Sequence, residues 1–318
     1  MGAATTGDFM IFSNTPRPES LESLADVKFT PYWLDDPNKP EPASALTENI
    51  KADLVVIGAG FTGLWTALVA KQTDPARDVV LLEAGETAIG ASGRNGGFVS
   101  ASLTHSLQNG LNRWPKEMPK LILLGKKNLD GIEETIKQFH IDCDYIRSGE
   151  LNLALEPYQM DEMKEEQATA SEYEEDYILY DQEQVRAIVN SPTYIGGSLN
   201  RANGMVNPAR LAWGLRRACL ELGVRLFEGT QVTALEEKRE SILVKTPHGQ
   251  IESKKVALAT NAFPPLLKHL SFYVVPVYDY VLMTEPLSKE QRDSIGWHGR
   301  EGLSDSANQF HYYQITSD

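Results

Sequence analysis

The spacing of apolar residues along this chain changes period several times, and each change marks an element. Leu54, Val55, Val56 and Ile57 make a continuous apolar run, as a strand buried on both faces requires. A helix-like stretch follows at residues 64–71, and a second apolar run fills residues 79–82. Between residues 115 and 141 the positions Leu121, Leu124, Leu129, Ile132, Ile136 and Phe139 recur at helical spacing, which predicts one long helix with a buried face. Short strands are expected at 143–146 and 151–155, on either side of the turn Ser148-Gly149. Residues 161–176 carry so many charges that they read as a helix with a solvated face. Residues 180–189 read as a shorter helix capped by Asp181.

Asn207-Pro208 opens the strongest amphipathic helix, ARLAWGLRRACLELG, which Gly223 closes. Strands are expected next at 224–227, 231–235, 241–245 and 256–259, with a turn at His248-Gly249. A further helix is expected to begin near Pro264. Residues 273–283 are apolar and β-branched, which predicts a strand with Pro276 at an edge or a bend. Ahead of all these, residues 1–50 are rich in turn formers, and Pro31, Pro37, Pro40 and Pro42 flank Trp33 and Leu34. That composition predicts an extended arm pinned by aromatic burial, with a disordered leader as the alternative for residues 1–25. No internal repeat is evident.

The first strand, the turn after it and the second strand carry a chemical signal. Gly58, Gly60 and Gly63 stand in the spacing G-x-G-x-x-G, and Glu83 ends the second strand about twenty residues beyond the third glycine. In a dinucleotide-binding βαβ unit the first glycine allows a sharp turn and the second lets a pyrophosphate approach bare backbone. The third lets helix and strand pack closely. The helix N-terminus then offers N–H groups and partial positive charge to the phosphates. Glu83 can accept hydrogen bonds from both ribose hydroxyls and repels a 2′-phosphate, which disfavours an NADP-like ligand. The bare glycine spacing is weak, since a glycine-rich turn in another βα unit shares it; strand, helix and acid in register strengthen it. After Glu83, the stretch AGETAIGASGRNGGFVSASL holds Gly90, Gly93, Gly96 and Gly97, too many for a helix or a packed strand, and Arg94 is its one cation. Small residues there let backbone lie against a flat or anionic group, unless the stretch is simply a flexible surface loop. Ala-Thr-Asn-Ala at 259–262 permits a similar close approach.

A length of 318 residues suggests two domains. With 30 Lys and Arg against 44 Asp and Glu the formal net charge is -14, and no basic cluster stands out that could track a nucleic-acid backbone. Nucleic acid is therefore not expected as a partner. No charged segment followed by a long apolar one opens the chain, and the longest apolar stretch is broken by three glycines. Neither a secretory signal nor a membrane span is expected. Cys143 and Cys219 are the two cysteines, which fits a reducing compartment and makes cytoplasm the default location. Without C-x-x-C, H-E-x-x-H or a histidine cluster, no metal site is expected.

Taken together, these stretches resemble the FAD-dependent amine oxidoreductases of the D-amino-acid oxidase type, and most of all the glycine oxidase and gamma-glutamylputrescine oxidase branch. The likeness runs through PYWLDD, VVIGAGFTGLWTA, LLEAGETAIGASGRNGGF, NPARLAWGLRRAC with GVRLFEGTQVTAL, KKVALATNAF and VPVYDYVLMTEPL. It implies an α/β fold in which an FAD-binding Rossmann-like domain of the GR2 type is interleaved with a second, mainly antiparallel substrate domain. The expected divisions are an arm at 1–50, cofactor-domain parts at 51–141 and 204–268, and substrate-domain parts at 142–203 and 269–318. The resemblance implies that Gly58, Gly60, Phe61, Thr62 and Gly63 face the pyrophosphate of FAD and that Glu83 and Ala84 face its ribose. Ser92, Gly93, Arg94, Asn95, Gly96 and Gly97 would face the pyrophosphate and the flavin edge. Val232 would pair its backbone with the adenine, and Ala259, Thr260 and Asn261 would line the cofactor. Relatives that tether the flavin through this loop do so with a histidine; the loop here has none, so FAD is expected to be held non-covalently.

The implied reaction is oxidation of a carbon–nitrogen bond in a primary or secondary amine or amino acid, gamma-glutamylputrescine-like compounds among them. Hydride leaves the carbon beside a neutral amine for flavin N5, the imine hydrolyses in water, and oxygen or another acceptor takes the electrons. No side-chain base is needed once the amine is unprotonated, so the sequence names no catalytic residue. His311, Tyr312 and Tyr313 are candidates to face a substrate, with packing as the alternative. Members of the family run on beyond the point where this chain stops, so the resemblance also implies a fragment or a short relative. Two other readings stay open: a nicotinamide-dependent dehydrogenase, and a truncated, non-catalytic flavin-binding scaffold.

Overall fold

The computed structural model of the chain describes residues 17–263 and 265–317. Residues 1–16 of the expected arm, and the helix start expected at Pro264, lie outside them. Residues up to Pro31 group separately from the rest. The described part of that first unit holds one short helix, α1 (Pro18–Glu22), with proline in its first turn. The second unit runs from Tyr32 onward and contains all the other elements.

It begins with a 3₁₀ turn at Tyr32–Leu34, after which extended chain leads into β1 (Ile50–Ile57). α2 (Phe61–Thr73) and β2 (Val79–Leu82) complete a βαβ crossover that agrees with the apolar pattern. A 3₁₀ turn at Ala91–Gly93 and the short β3 (Phe98–Val99) follow, then α3 (Leu107–Arg113) and the expected long helix, α4 (Met118–Gln138). Next come β4 (Glu150–Ala154), α5 (Pro157–Glu172), β5 (Tyr177–Asp181) and α6 (Gln182–Ile188). Asp181 ends one element and caps the next, its side chain accepting the Gln184 N–H at 2.9 Å. β6 (Gly196–Asn200) and β7 (Gly204–Met205) lead to α7 (Pro208–Glu221), which Asn207 caps through the Arg210 N–H at 3.0 Å. β8 (Arg225–Phe227), β9 (Ala234–Glu237), β10 (Ile242–Lys245) and β11 (Gln250–Leu258) follow. A 3₁₀ turn at Lys268–Phe272, α8 (Lys289–Ile295), β12 (Gly302–Asp305) and β13 (Tyr312–Tyr313) complete the order.

Six strands form one sheet in the order β8-β2-β1-β11-β10-β9. β8, β2, β1 and β11 run parallel, β10 is antiparallel to β11, and β9 is antiparallel to β10. Successive residues of a strand take opposite faces, and a parallel sheet buries both. Val56, Val79 and Leu81 cluster with Leu64, Leu68, Leu211 and Leu215 of α2 and α7. Val55, Ile57, Val80 and Leu82 cluster instead with Val232, Val244 and Ile251. Each fully buried side chain of this kind stabilises by about 1.5–3 kcal/mol, so two apolar layers fix the strand ends where the glycines lie.

Five strands form a second sheet, β13-β12-β4-β6-β5, antiparallel except where β12 meets β4. One face is apolar, with Leu151, Leu153, Leu199 and Leu303 packed on Val185 and Val189. The pairing register places Glu150, Asn152, Ser198, Asn200 and Ser304 on the other. Glu150 there accepts from Ser304 Oγ at 3.1 Å and from Asn203 Nδ2 at 2.8 Å.

The structure departs from the apolar pattern in four places. β6 and β7 escape it because Gly196, Gly197 and Gly204 stand where strands usually show branched side chains. Residues 143–146, expected as a strand, make one isolated bridge, Ile146 with Met205. Residues 273–283, also expected as a strand, form none, and Val277 and Tyr280 are 85% and 97% exposed. β-branched and aromatic residues favour a strand only where a neighbouring strand takes their backbone groups. Among the described residues no strand pairs with this segment, and Pro276 removes one donor. The helix expected from Pro264 is replaced, over its described residues, by the 3₁₀ turn; so short a stretch is marginal as an α-helix.

Among the described residues no helix is long and apolar enough to cross a membrane, and no group of His, Cys, Asp and Glu side chains is placed to hold a metal ion. Cys143 and Cys219 are buried free thiols, and burial pushes both up to about 12.

Candidate cofactor site

The parallel sheet brings several chain segments together at the carboxyl ends of β1, β2 and β11, which is where open α/β sheets bind ligands. Gly58 follows β1 with φ +103° and donates its N–H to Leu82 O at 2.7 Å. A Cβ there would lie 2.5 Å from Ala259 O. Gly63 packs against Gly58 so closely that a Cβ would come within 1.8 Å of the Gly58 carbonyl oxygen. These two glycines serve the turn and the helix–strand contact. Gly60 differs: a Cβ would meet only the Ser92 side chain, 2.8 Å from its Oγ, so the backbone is otherwise open. Ser92 Oγ accepts the Phe61 N–H at 2.9 Å. A hydroxyl therefore sits at the N-terminus of α2, where N–H groups and the helix dipole favour an anion.

Glu83 follows β2 with both oxygens oriented by backbone. Oε2 accepts the Ala59 N–H at 2.7 Å and Oε1 accepts the Gly85 N–H at 2.9 Å, and each oxygen keeps a lone pair for a hydroxyl. The Thr230 N–H donates to Glu83 O at 2.7 Å and the Gly229 N–H to Gly85 O at 2.8 Å. Chain leading to Val232 thus runs beside the acid, while the Val232 side chain is buried in the core. The Ala259 N–H donates to Ile57 O at 2.9 Å, which carries the β1–β11 pairing to the rim. Thr260 is half-buried there, and Asn261 is exposed with φ +50°, a left-handed conformation that Asn tolerates. Thr62 and Ala84 are exposed on the same rim.

Most glycines of the 92–97 loop make room for protein. A Cβ on Gly93 would meet Ala88 O at 2.4 Å and Leu34 at 2.7 Å; one on Gly96 would meet the Tyr312 ring at 2.5 Å. Gly97, at φ +74°, leaves space for Val206 O. Arg94 is exposed and donates Nε to Ile89 O at 2.7 Å. Asn95 closes the loop on itself: Nδ2 donates to Ala91 O at 3.1 Å and Ser92 O at 3.0 Å, and Oδ1 accepts the Gly97 N–H at 2.9 Å.

Behind the rim lies a charge pair that no local spacing reveals. Glu228 is 3% exposed. It accepts the N–H groups of Ala43 at 2.5 Å and Thr87 at 2.6 Å, and the Arg216 guanidinium at 2.8 Å. Burial raises its pKa, but Ala43, Arg216 and Thr87 together lower it by more, so the carboxyl lies below the usual range.

The C-terminal aromatics divide between two neighbours. Tyr312 packs edge-on against Phe98, ring centroids 5.6 Å apart, and burial followed by Asp279 holds its hydroxyl above the usual value. Gln314 donates Nε2 to Gly96 O at 2.7 Å. His311 faces elsewhere, with Nδ1 2.8 Å from Asp305 Oδ2.

Bare backbone at Gly60, N–H groups at a helix start and an oriented carboxylate at the end of β2 suit a pyrophosphate and a ribose. Fold and site together define a dinucleotide-binding βαβ protein. A family model described as DAO, FAD dependent oxidoreductase, matches residues 53–318. Probable oxidoreductase OrdL of Haemophilus influenzae is 31% identical over 300 residues, covering 90% of this chain and 68% of that protein. Gamma-glutamylputrescine oxidoreductase of Escherichia coli is 32% identical over 299 residues, covering 90% and 67%. Among solved structures, L-proline dehydrogenase from P. horikoshii superposes with a TM-score of 0.64 at 18% identity, covering 85% of this chain and 68% of that one. Glycine oxidase from Geobacillus kaustophilus gives 0.58 at 21% identity, covering 67% and 56%. The chain belongs to the FAD dependent oxidoreductase family, and FAD replaces the nicotinamide alternative. It spans about two thirds of the length of the two curated relatives and little more than half of the glycine oxidase.

Proposed function

We propose that the chain holds FAD non-covalently along the first crossover and oxidises the carbon–nitrogen bond of a primary or secondary amine or amino acid. The observation that carries this reading is the open Gly60 turn beside Glu83, whose two oxygens are set by the Ala59 and Gly85 N–H groups. Gly58, Gly60, Phe61, Thr62 and Gly63 would hold the pyrophosphate and Glu83 with Ala84 the adenosine ribose. Ser92, Arg94 and Asn95 would stand toward the pyrophosphate and the flavin edge, with Val232, Ala259, Thr260 and Asn261 along the remainder. No histidine or cysteine lies between residues 84 and 97 to form a tether. Residues 51–141 with 204–268 would be the cofactor part and 142–203 with 269–318 the substrate part. In support, the strands of the first sheet, apart from Ile50, come from the former set and those of the second sheet from the latter.

When bound, the flavin supplies the acceptor for hydride from the carbon beside the amine. The protein's share is to bind, orient and shield. Glu150 and Ser304 share a hydrogen bond on the polar face of the second sheet, beside Asn152. Carboxylate and amide oxygens there can accept from an amine N–H. Tyr312 pairs with Ser304 on that face and lies over Gly96, which links it to the loop. The name of the 32% identical relative, gamma-glutamylputrescine oxidoreductase, supports an amine as substrate. The test is to load the chain with FAD and mix it anaerobically with gamma-glutamylputrescine, sarcosine, glycine and D-amino acids. Bleaching of the visible flavin band by at least one of them is expected. A flavin that stays oxidised with every amine points to the non-catalytic flavin-binding scaffold.

A further inference from the structure

The 3₁₀ turn Tyr32–Leu34 does more than fill space. Trp33 is 8% exposed, and its ring clusters with Ala209 and Trp213 of α7. Asp36, just beyond, takes the Arg210 guanidinium at 2.6 Å, which ties the turn to α7 a second time. An indole wedged in this way has a fixed direction for its N–H. Trp33 Nε1 donates to Asn95 O at 3.0 Å. Leu34 of the same turn occupies the space that a Gly93 side chain would need. Asn95 in turn holds Ala91, Ser92 and Gly97 through its own side chain, and Ser92 reaches the Phe61 N–H at the start of α2. Direct contacts therefore run from α7 through Trp33, Asn95 and Ser92 to the helix end proposed for the pyrophosphate.

We infer that Trp33 is a positioning residue for the cofactor: its indole N–H holds the 91–97 loop in the shape that presents Ser92 to the N-terminus of α2. This rests on the reading of that rim as the FAD site. Trp33→Phe removes the donor together with part of the indole ring, and Trp213→Phe makes the same loss of ring volume in the same cluster, away from Asn95. Two measurements on the full chain separate the claims. Hydrogen exchange without flavin reads the loop itself: peptides covering 91–97 are expected to exchange faster in Trp33→Phe and unchanged in Trp213→Phe. Equilibrium titration with FAD reads what the loop is for: Trp33→Phe is expected to bind about three- to tenfold more weakly, the effect of one neutral hydrogen bond, with Trp213→Phe within about twofold of wild type. The circular dichroism of the bound flavin should change in Trp33→Phe alone. Unchanged loop exchange in Trp33→Phe overturns the clamp. Faster exchange with unaltered FAD affinity, or equal weakening in both variants, overturns the positioning role. A wild-type chain with a protected loop that takes up no FAD overturns the cofactor reading and the positioning role with it, while the exchange result still decides whether Trp33 orders the loop.

Discussion

Two apolar stretches of this chain look alike in sequence and end differently. Residues 54–57 pair between β2 and β11, with Val55, Val56 and Ile57 buried, and lead into a rim of glycines and one acid, whereas residues 273–283 lie exposed and unpaired among the described residues. The first stretch pairs on one side with β2, through a crossover of about thirty residues that is a short loop to close, and on the other with the sequence-distant β11. The second has strand propensity but no paired neighbour, and propensity alone does not hold a strand together. A paired neighbour, near in sequence like β2 or far like β11, accounts for the difference. The motif written within one supersecondary unit is legible before its neighbours are known, while contacts made by distant strands are not.

Changes at the first region should therefore be costly, and changes at the second nearly silent. The largest effect is expected for Gly63→Ala, whose Cβ would sit 1.8 Å from the Gly58 carbonyl oxygen. Overpacking against backbone should cost about 3 kcal/mol or more, lowering Tm by about 6–12 °C or more in a calorimetric scan. Next comes Glu228→Gln, which leaves the Arg216 charge buried without its partner. A loss of about 3 kcal/mol is expected near neutral pH. Because the folded carboxyl titrates below its ordinary value of about 4.3, its stabilisation is present above that value and fades as pH falls through the lowered one. The gap in Tm between wild type and variant should therefore close toward acid; a constant gap would show that Glu228 acts by shape alone. Glu83→Gln should lower Tm by about 2–4 °C, since its amide oxygen accepts only one of the Ala59 and Gly85 N–H groups and its NH2 faces the other. It should weaken FAD by about 1 kcal/mol, roughly fivefold, in a fluorescence titration. The smallest effect is expected for Val277→Ser with Tyr280→Ser, within about 0.5 kcal/mol by urea unfolding. A loss of several kcal/mol there would mean that the exposed segment packs on something, and would break the comparison.

How much was legible follows the same division. β1, β2, α4 and α7 could be read from apolar period, and Glu83 from its distance past Gly63, because each signal lies within one element or one crossover. Gly60 was legible as the open glycine of its motif. What Gly93, Gly96 and Gly97 do was not, because their crowding comes from Leu34, Tyr312 and Val206, all remote in sequence. Arg216 and Glu228 sit on α7 and just past β8, and nothing in their spacing marks them as a pair. Burial of Trp33 was foreseeable from its setting among prolines; its hydrogen bond to Asn95, sixty-two residues away, was not. β6 was hidden by Gly196 and Gly197, and the segment 273–283 shows the opposite failure, strong local propensity without a strand to pair with.

The central claim is that the open turn at Gly60 receives the pyrophosphate of FAD. Gly60→Val tests it most directly, because an added Cβ meets only the Ser92 side chain and no backbone, so the fold is expected to survive at matched circular dichroism. Equilibrium titration of wild type and variant with FAD is expected to show saturable one-to-one binding in the first and none in the second, at matched circular dichroism. A folded Gly60→Val chain that binds FAD as tightly as wild type would contradict the account.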